Sequence, residues 1–144
     1  MDLPFRRVHP DAVLPERAHP GDAGLDLRSM VEIELGPGER AKVPTGVAVA
    51  IPEGYAGLVL PRSGLAAEHG LTMANAPGLI DSGYRGEIVC AVVNLDRERG
   101  VRIARGLRIA QLVIVAAPAA EPSWADELPE SSRGEGGFGS TGVG

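Results

Sequence analysis

Hydrophobic and polar positions alternate with a period of two along much of the chain, in short runs broken by Gly and Pro. "VEIEL" (31–35) sets Val31, Ile33 and Leu35 against Glu32 and Glu34 and predicts a strand with one face in water. "GPGE" turns the chain, "RAKV" and "GVAVAI" predict two further strands, "PEGY" turns it again, and "AGLVLP" follows as the next strand. Longer apolar runs at 86–95, "GEIVCAVVNL", and 107–116, "LRIAQLVIVA", predict longer strands. The second is apolar on both faces and therefore central, and "DRERG" between them reads as a tight polar connection. One short helix is predicted over 63–69, "SGLAAEH", with Ser63 in the cap position and Gly70 ending it. From Ala117 to Ser132 the periodicity gives way to Ala, Pro and acidic residues, which predicts an extended arm with Trp124 as its anchor. The expected class is all-β, a jelly-roll-like sandwich or barrel, with residues 1–117 as the body and 118–144 as the arm.

Composition sharpens this. A chain of 144 residues, 44% hydrophobic, buries one core, and its 20 Gly and 12 Pro suit many turns rather than long helices. Aromatic residues are only 3%, so the core rests on small aliphatic side chains and a subunit interface is expected to add apolar burial. A formal charge of −5 argues against a protein that coats nucleic acid, and Lys42 is the only lysine among 14 cations. The lone Cys90 excludes an internal disulfide and, inside "EIVCAVVNL", reads as a buried structural thiol. His9, His19 and His69 have no metal-ligand spacing. No apolar stretch reaches membrane-spanning length, and no basic segment followed by an apolar one opens the chain, so the expected setting is cytoplasmic, without a membrane partner.

Several stretches carry chemistry. "PRSGLA" (61–66) puts Arg62 and Ser63 where a strand gives way to a helix, a place where backbone N–H groups and a guanidinium accept an anion. It equally suits an ordinary capped turn. "GDAGLDL" (21–27) holds two carboxylates around a glycine turn: Asp22 reads as bonding its own turn, and Asp26, between Leu25 and Leu27, projects to the polar side. "NAPGLIDSGYRGEI" (75–88) reads as a hairpin with "DSGYRG" at its tip, Asp81 on the incoming strand and Tyr84 just past the glycine. Free backbone groups beside an aromatic ring suit a base and a sugar, as they suit a plain surface hairpin. "SSRGEGGFGSTG" (131–142) is glycine-rich yet carries Arg133 and Phe138.

With "RIAQL" (108–112), these stretches occur in fixed order from about Gly21 to Gly142, and together they resemble the five signature motifs of the trimeric dUTP pyrophosphatases, the dUTPases. The resemblance implies jelly-roll subunits in a homotrimer, with active sites shared between chains, that split dUTP into dUMP and pyrophosphate with Mg2+. It implies that Asp81 orients and deprotonates the water attacking the α-phosphorus, and that Tyr84 packs under the deoxyribose, where a 2′-hydroxyl would clash. Asn75 with the backbone of Gly78, Leu79 and Ile80 is then the uracil-reading element, too narrow for a 5-methyl group. Arg62, Ser63, Gly64 and Gln111 are implied phosphate ligands, Asp26 holds Mg2+ through its waters, and Arg108 is structural, pairing with an acidic neighbour. The arm is implied to fold over bound nucleotide on a neighbouring subunit, with Phe138 on the uracil, Arg133 on the γ-phosphate, and Gly139, Ser140 and Thr141 adding backbone and hydroxyl contacts.

Two other readings share parts of this pattern. A dCTP deaminase of similar fold needs a catalytic Glu in its pocket and lacks the Arg/Phe arm in this form. A trimeric nucleotide-binding regulator would keep the pocket without turnover, and Asp81 argues against it.

Overall fold

A computed structural model describes residues 1–144. Ten strands and one helix succeed one another: β1 (Phe5–Arg7), β2 (Leu25–Arg28), β3 (Ile33–Leu35), β4 (Arg40–Val49), β5 (Tyr55–Pro61), α1 (Ser63–His69), β6 (Leu71–Met73), β7 (Gly78–Ile80), β8 (Glu87–Asn94), β9 (Val101–Ile103) and β10 (Arg108–Ala116). They form two four-stranded antiparallel sheets, ordered β1-β4-β8-β6 and β2-β10-β5-β7, with β3 and β9 as a separate pair. The all-β, jelly-roll expectation holds.

Alternation in the sequence becomes the two inner faces. Along β8, Ile88, Cys90, Val92 and Asn94 are buried while Val89 is exposed. Val43, Val47, Ile88 and Cys90 from one sheet join Leu27, Val59, Ile109 and Leu112 from the other in a single core of 19 buried residues. Phenylalanine and tryptophan are absent from that core, so aliphatic packing between the sheets carries it. Burial pushes the Cys90 thiol up to about 12, which keeps it neutral and unreactive.

Five local expectations are corrected. "VEIEL" is strand only at Ile33–Leu35. "RAKV" and "GVAVAI" belong to one strand, β4, whose pairing with β8 is interrupted between Pro44 and Ala48, since proline brings no N–H to the ladder. "DRERG" is no tight link between long strands: it leads into β9, which pairs with β3. Buried Asn94 fixes that detour, its amide lying 3.1 Å from the Leu35 carbonyl and 2.9 Å from that of Arg99. Ser63 is the first residue of α1 rather than its cap. Arg62 takes the cap position with extended backbone, and no side chain bonds the first turn. Gly70 does end the helix, in the left-handed region, and a Cβ there would fall 2.7 Å from the Asp96 nitrogen. Finally, "DSGYRG" is no hairpin tip: β7 lies in one sheet and β8 in the other, so these residues cross the sandwich edge.

After β10, Ala117 donates to the Gly54 carbonyl at 2.8 Å, and no strand or helix follows. Trp124, expected to anchor the arm, is fully exposed in the single chain.

Candidate active site

The first concavity lies on the outer face of the β2-β10-β5-β7 sheet. A bulge between Arg108 and Ala110 buries Ile109 and Ala110 together, so that Arg108 and Gln111 face outward, with Gln111 paired in register to Asp26 on β2. Leu25 and Leu27 are buried, which projects Asp26 to the same outer face. Its carboxylate is only 10% exposed and is held from two sides: Arg108 Nη1 at 3.2 Å from Oδ2 and Arg62 Nε at 3.6 Å from Oδ1. Arg62 also donates to the Arg108 carbonyl at 3.4 Å. One negative and two positive charges leave this cluster net cationic, suited to an anion of high charge.

Beside the cluster opens a cleft of about 630 Å³, lined by Asp22, Gly24, Asp26, Arg62, Ser63, Gly64, Glu68 and Gln111 among others, so that Arg62 brings a positive charge into a lining that also holds three carboxylates. The first turn of α1 brings backbone N–H groups without intrahelical acceptors to its edge. Nothing lies within 4 Å of a Cβ built on Gly64, so the approach to that backbone is open. Asp22 is occupied by its own turn, its Oδ2 accepting from the His19 nitrogen at 2.9 Å.

The second concavity, of about 210 Å³, has Val59, Met73, Ile80 and Ile88 among its apolar lining, with Asn75, Asp81, Tyr84 and Glu87 as polar members, the Glu87 carboxylate lying 3.3 Å from the Gly46 nitrogen. β7 is the edge strand of its sheet, bonded on one side to β5 only. Its outer N–H and C=O groups are therefore unpaired donors and acceptors beside an apolar pocket, which is what a planar heterocycle with a hydrogen-bonding edge requires. Asp81 follows directly after β7; its carboxylate is exposed and has neither an ion pair nor a hydrogen bond within the chain. Tyr84 donates its hydroxyl to the Glu87 carbonyl at 2.9 Å and leaves its ring 47% exposed.

The expected site residues thus divide. Asp26, Arg62, Ser63, Gly64 and Gln111 share the cleft beside α1; Asn75, Gly78, Leu79, Ile80, Asp81 and Tyr84 share the apolar pocket; no residue lines both. Arg133, Phe138, Gly139, Ser140 and Thr141 line neither. The arm folds into turns on itself, Arg133 Nε donating to the Gly136 carbonyl at 2.6 Å and Phe138 wholly exposed.

A family model described as dUTPase matches residues 11–142, nearly the whole chain. The chain belongs to the dUTPase family. It is an enzyme that acts on dUTP, a hydrolase of nucleotide metabolism. A deoxyuridine 5′-triphosphate nucleotidohydrolase of Streptomyces coelicolor is 59% identical over 142 residues, covering 99% of this chain and 78% of that one. Among solved structures, the dUTPase of Staphylococcus bacteriophage 80alpha, a mutant bound to dUpNHpp, superposes with a TM-score of 0.92 at 35% identity, over 99% of both chains. A mutant dUTPase of S. aureus phage phi11, described for its coordination of a structural Mg(II) ion, superposes with a TM-score of 0.84 at 31% identity over 90% of this chain and all of that one. No helix of this dUTPase-family chain is long and apolar enough to cross a membrane.

Two glycines, one lining the cleft and one beside the apolar pocket, support the site. A Cβ at Gly24 would collide with the Gln111 amide, and one at Gly86 would collide with the Tyr84 ring. Neither has a positive φ, so the close approach of a side chain rather than backbone conformation calls for glycine there, a property the amino-acid string does not display.

Proposed function

We propose that the chain hydrolyses dUTP to dUMP and pyrophosphate at sites shared within a homotrimer, each site joining the apolar pocket of one subunit to the cleft beside α1 of another. The observation that carries this reading is the separation just described: base and sugar chemistry in one concavity, phosphate chemistry in the other, neither complete alone. Residues 1–117 serve as the body and 118–144 as an arm that closes over nucleotide.

In this reading the uracil edge bonds the free backbone of Gly78 to Ile80, with Asn75 beside it, and the deoxyribose lies on Tyr84. Arg62, Ser63, Gly64 and Gln111 take the phosphate chain, and Arg133 of the arm reaches its far end. Phe138 covers the base, with Gly139, Ser140 and Thr141 against the phosphates. Asp81, with both oxygens free, takes a proton from the attacking water. The water oxygen bonds to the α-phosphorus, the α–β bridging P–O bond breaks, and pyrophosphate leaves with the electron pair. General-base help of this kind is worth about 10²–10⁴-fold, and the remaining acceleration comes from positioning and charge neutralisation.

The donor set suits Mg2+ arriving with the triphosphate. Asp26 offers hard oxygen ligands, but two guanidiniums already hold it, and a magnesium ion that keeps its waters and its phosphate ligands needs only one such carboxylate. Bound Mg2+ supplies charge neutralisation to the phosphates. In this reading the enzyme works in the cytoplasm, limiting uracil in DNA and supplying the precursor of dTMP.

The test is pyrophosphate release from dUTP, UTP, dCTP and dTTP with Mg2+, for the native protein and Asp81→Asn. Fast release from dUTP alone, lost in the variant, is expected. Binding of dUTP without release would reduce the site to a nucleotide-binding scaffold, and a monomer in sedimentation would remove the shared site.

A further inference from the structure

Asp81 and Tyr84 sit in a segment, residues 81–86, that belongs to neither sheet. Its internal bonds are few. The Tyr84 nitrogen donates to the Asp81 carbonyl at 3.1 Å, and the Tyr84 hydroxyl reaches the Glu87 carbonyl. Most of the remaining support comes from one side chain. Nη1 of Arg85 donates to the Ser82 carbonyl at 2.6 Å and to the Tyr84 carbonyl at 3.0 Å. These two carbonyls flank the Gly83-Tyr84 unit, so fixing both peptide planes fixes the direction in which the Tyr84 side chain leaves the backbone. Arg6 of β1 donates to the Arg85 carbonyl at 3.5 Å, tying the segment to the sheet that β8 enters.

Arg85 lines no part of the pocket that holds Asp81 and Tyr84. It faces a separate hollow with Pro4, Phe5 and Arg6. It is an exposed residue whose guanidinium donates only to backbone oxygens within the chain, which sets it apart from the packed core. We propose that Arg85 is a positioning residue for sugar discrimination: its guanidinium locks the 82–85 backbone so that the Tyr84 ring presents a fixed floor to the deoxyribose and Asp81 keeps its place beside it.

This inference rests on the assignment of Tyr84 to the sugar. A misplacement of about 1 Å costs roughly 100-fold in rate, and a loosened ring ceases to exclude a 2′-hydroxyl. Because one nitrogen makes both bonds, a lysine ammonium can replace it, whereas recognition by a guanidinium fork would not survive that change.

The experiment measures kcat/KM for dUTP and for UTP, together with the unfolding midpoint, in the native protein, Arg85→Ala, Arg85→Lys and Tyr84→Ala. Arg85→Ala is expected to lose about 10- to 100-fold on dUTP and to narrow the dUTP-over-UTP ratio by about tenfold, with Arg85→Lys recovering most of that ratio. An unchanged ratio in Arg85→Ala while Tyr84→Ala loses it overturns the inference. An unchanged ratio in Tyr84→Ala overturns instead the sugar assignment beneath it. If Arg85→Ala does not fold, Arg85→Met keeps the stem and drops the donors; failure of both to fold assigns Arg85 to stability and also overturns the inference.

Discussion

The ring of Tyr84 lies over the backbone of Gly86, where a Cβ would fall 2.6 Å from the ring carbon that bears the hydroxyl. A real Cβ never approaches so closely, so Gly86→Ala must push the ring away. The ring is half-exposed and free to swing outward, which confines the cost to its hydrogen bond with the Glu87 carbonyl, about 0.5–1.5 kcal/mol. Gly86→Ala is therefore expected to unfold close to the native midpoint while its preference for dUTP over UTP falls. Urea unfolding beside steady-state kinetics on both nucleotides checks this; a large loss of stability with selectivity intact would refute it.

Asp26 presents a different balance. Asp26→Asn leaves Arg62 and Arg108 without their shared counterion, but both arginines are a third or so exposed and water takes up much of the loss. The expected destabilisation is about 1–2 kcal/mol, below the value for a fully buried charge pair. In the proposed reading Asp26 holds Mg2+ through its waters, so activity suffers more than stability. The variant is expected to need a higher Mg2+ concentration for half-maximal hydrolysis, and an unshifted Mg2+ titration would remove Asp26 from the metal's ligands.

How far the sequence disclosed these relationships depends on their range. β8 was legible because a period-two pattern with one buried face leaves few alternatives, and β10 because a long run apolar on both faces suits a central strand. The single strand β4 was not, since Pro44 and Gly46 read as breakers although the pairing tolerates a bulge. Nor was the crossing at residues 81–86: "DSGYRG" has hairpin composition, and only sheet membership, a long-range property, distinguishes a crossover from a turn. The motif residues were identified from their resemblance in fixed order. Their division between two concavities is a matter of which face each strand presents, and the Asp26 pairing with two arginines depends on the bulge at Arg108.

Cys90 sets an alkaline limit. Its thiol titrates at an ordinary value of 9.0 in an unfolded chain and near 12 in the fold, so the unfolded state releases its proton first. The stability it lends is fully present below pH 9 and declines as pH rises from 9 toward 12. Cys90→Ala is expected to flatten that part of the stability profile, measured by denaturant unfolding at stepped pH, at the cost of a small cavity at neutral pH. In the native protein at pH 7.5 the thiol should resist alkylation until denaturant is added; ready labelling without denaturant would contradict its burial.

The glycine-rich arm joins flexibility to two specific side chains. Phe138 adopts a φ of 44, in the left-handed region, and its ring touches nothing of its own chain, while Arg133 closes a local turn with Gly136. An aromatic ring wholly in water is unfavourable unless something covers it in the working state, and an arm rich in glycine orders at a conformational cost that a bound ligand must offset. Removing residues 133–144 leaves the core and both concavities intact, so stability and subunit association are expected to remain native while hydrolysis of dUTP collapses. Phe138→Ala, which removes only the ring, is expected to raise KM and lower kcat together, as loss of a closing element does. Sedimentation, thermal unfolding and pyrophosphate release on the two variants decide the point: unchanged turnover in the truncated chain would sink the closing-arm role, and dissociation of the trimer would reassign the arm to assembly.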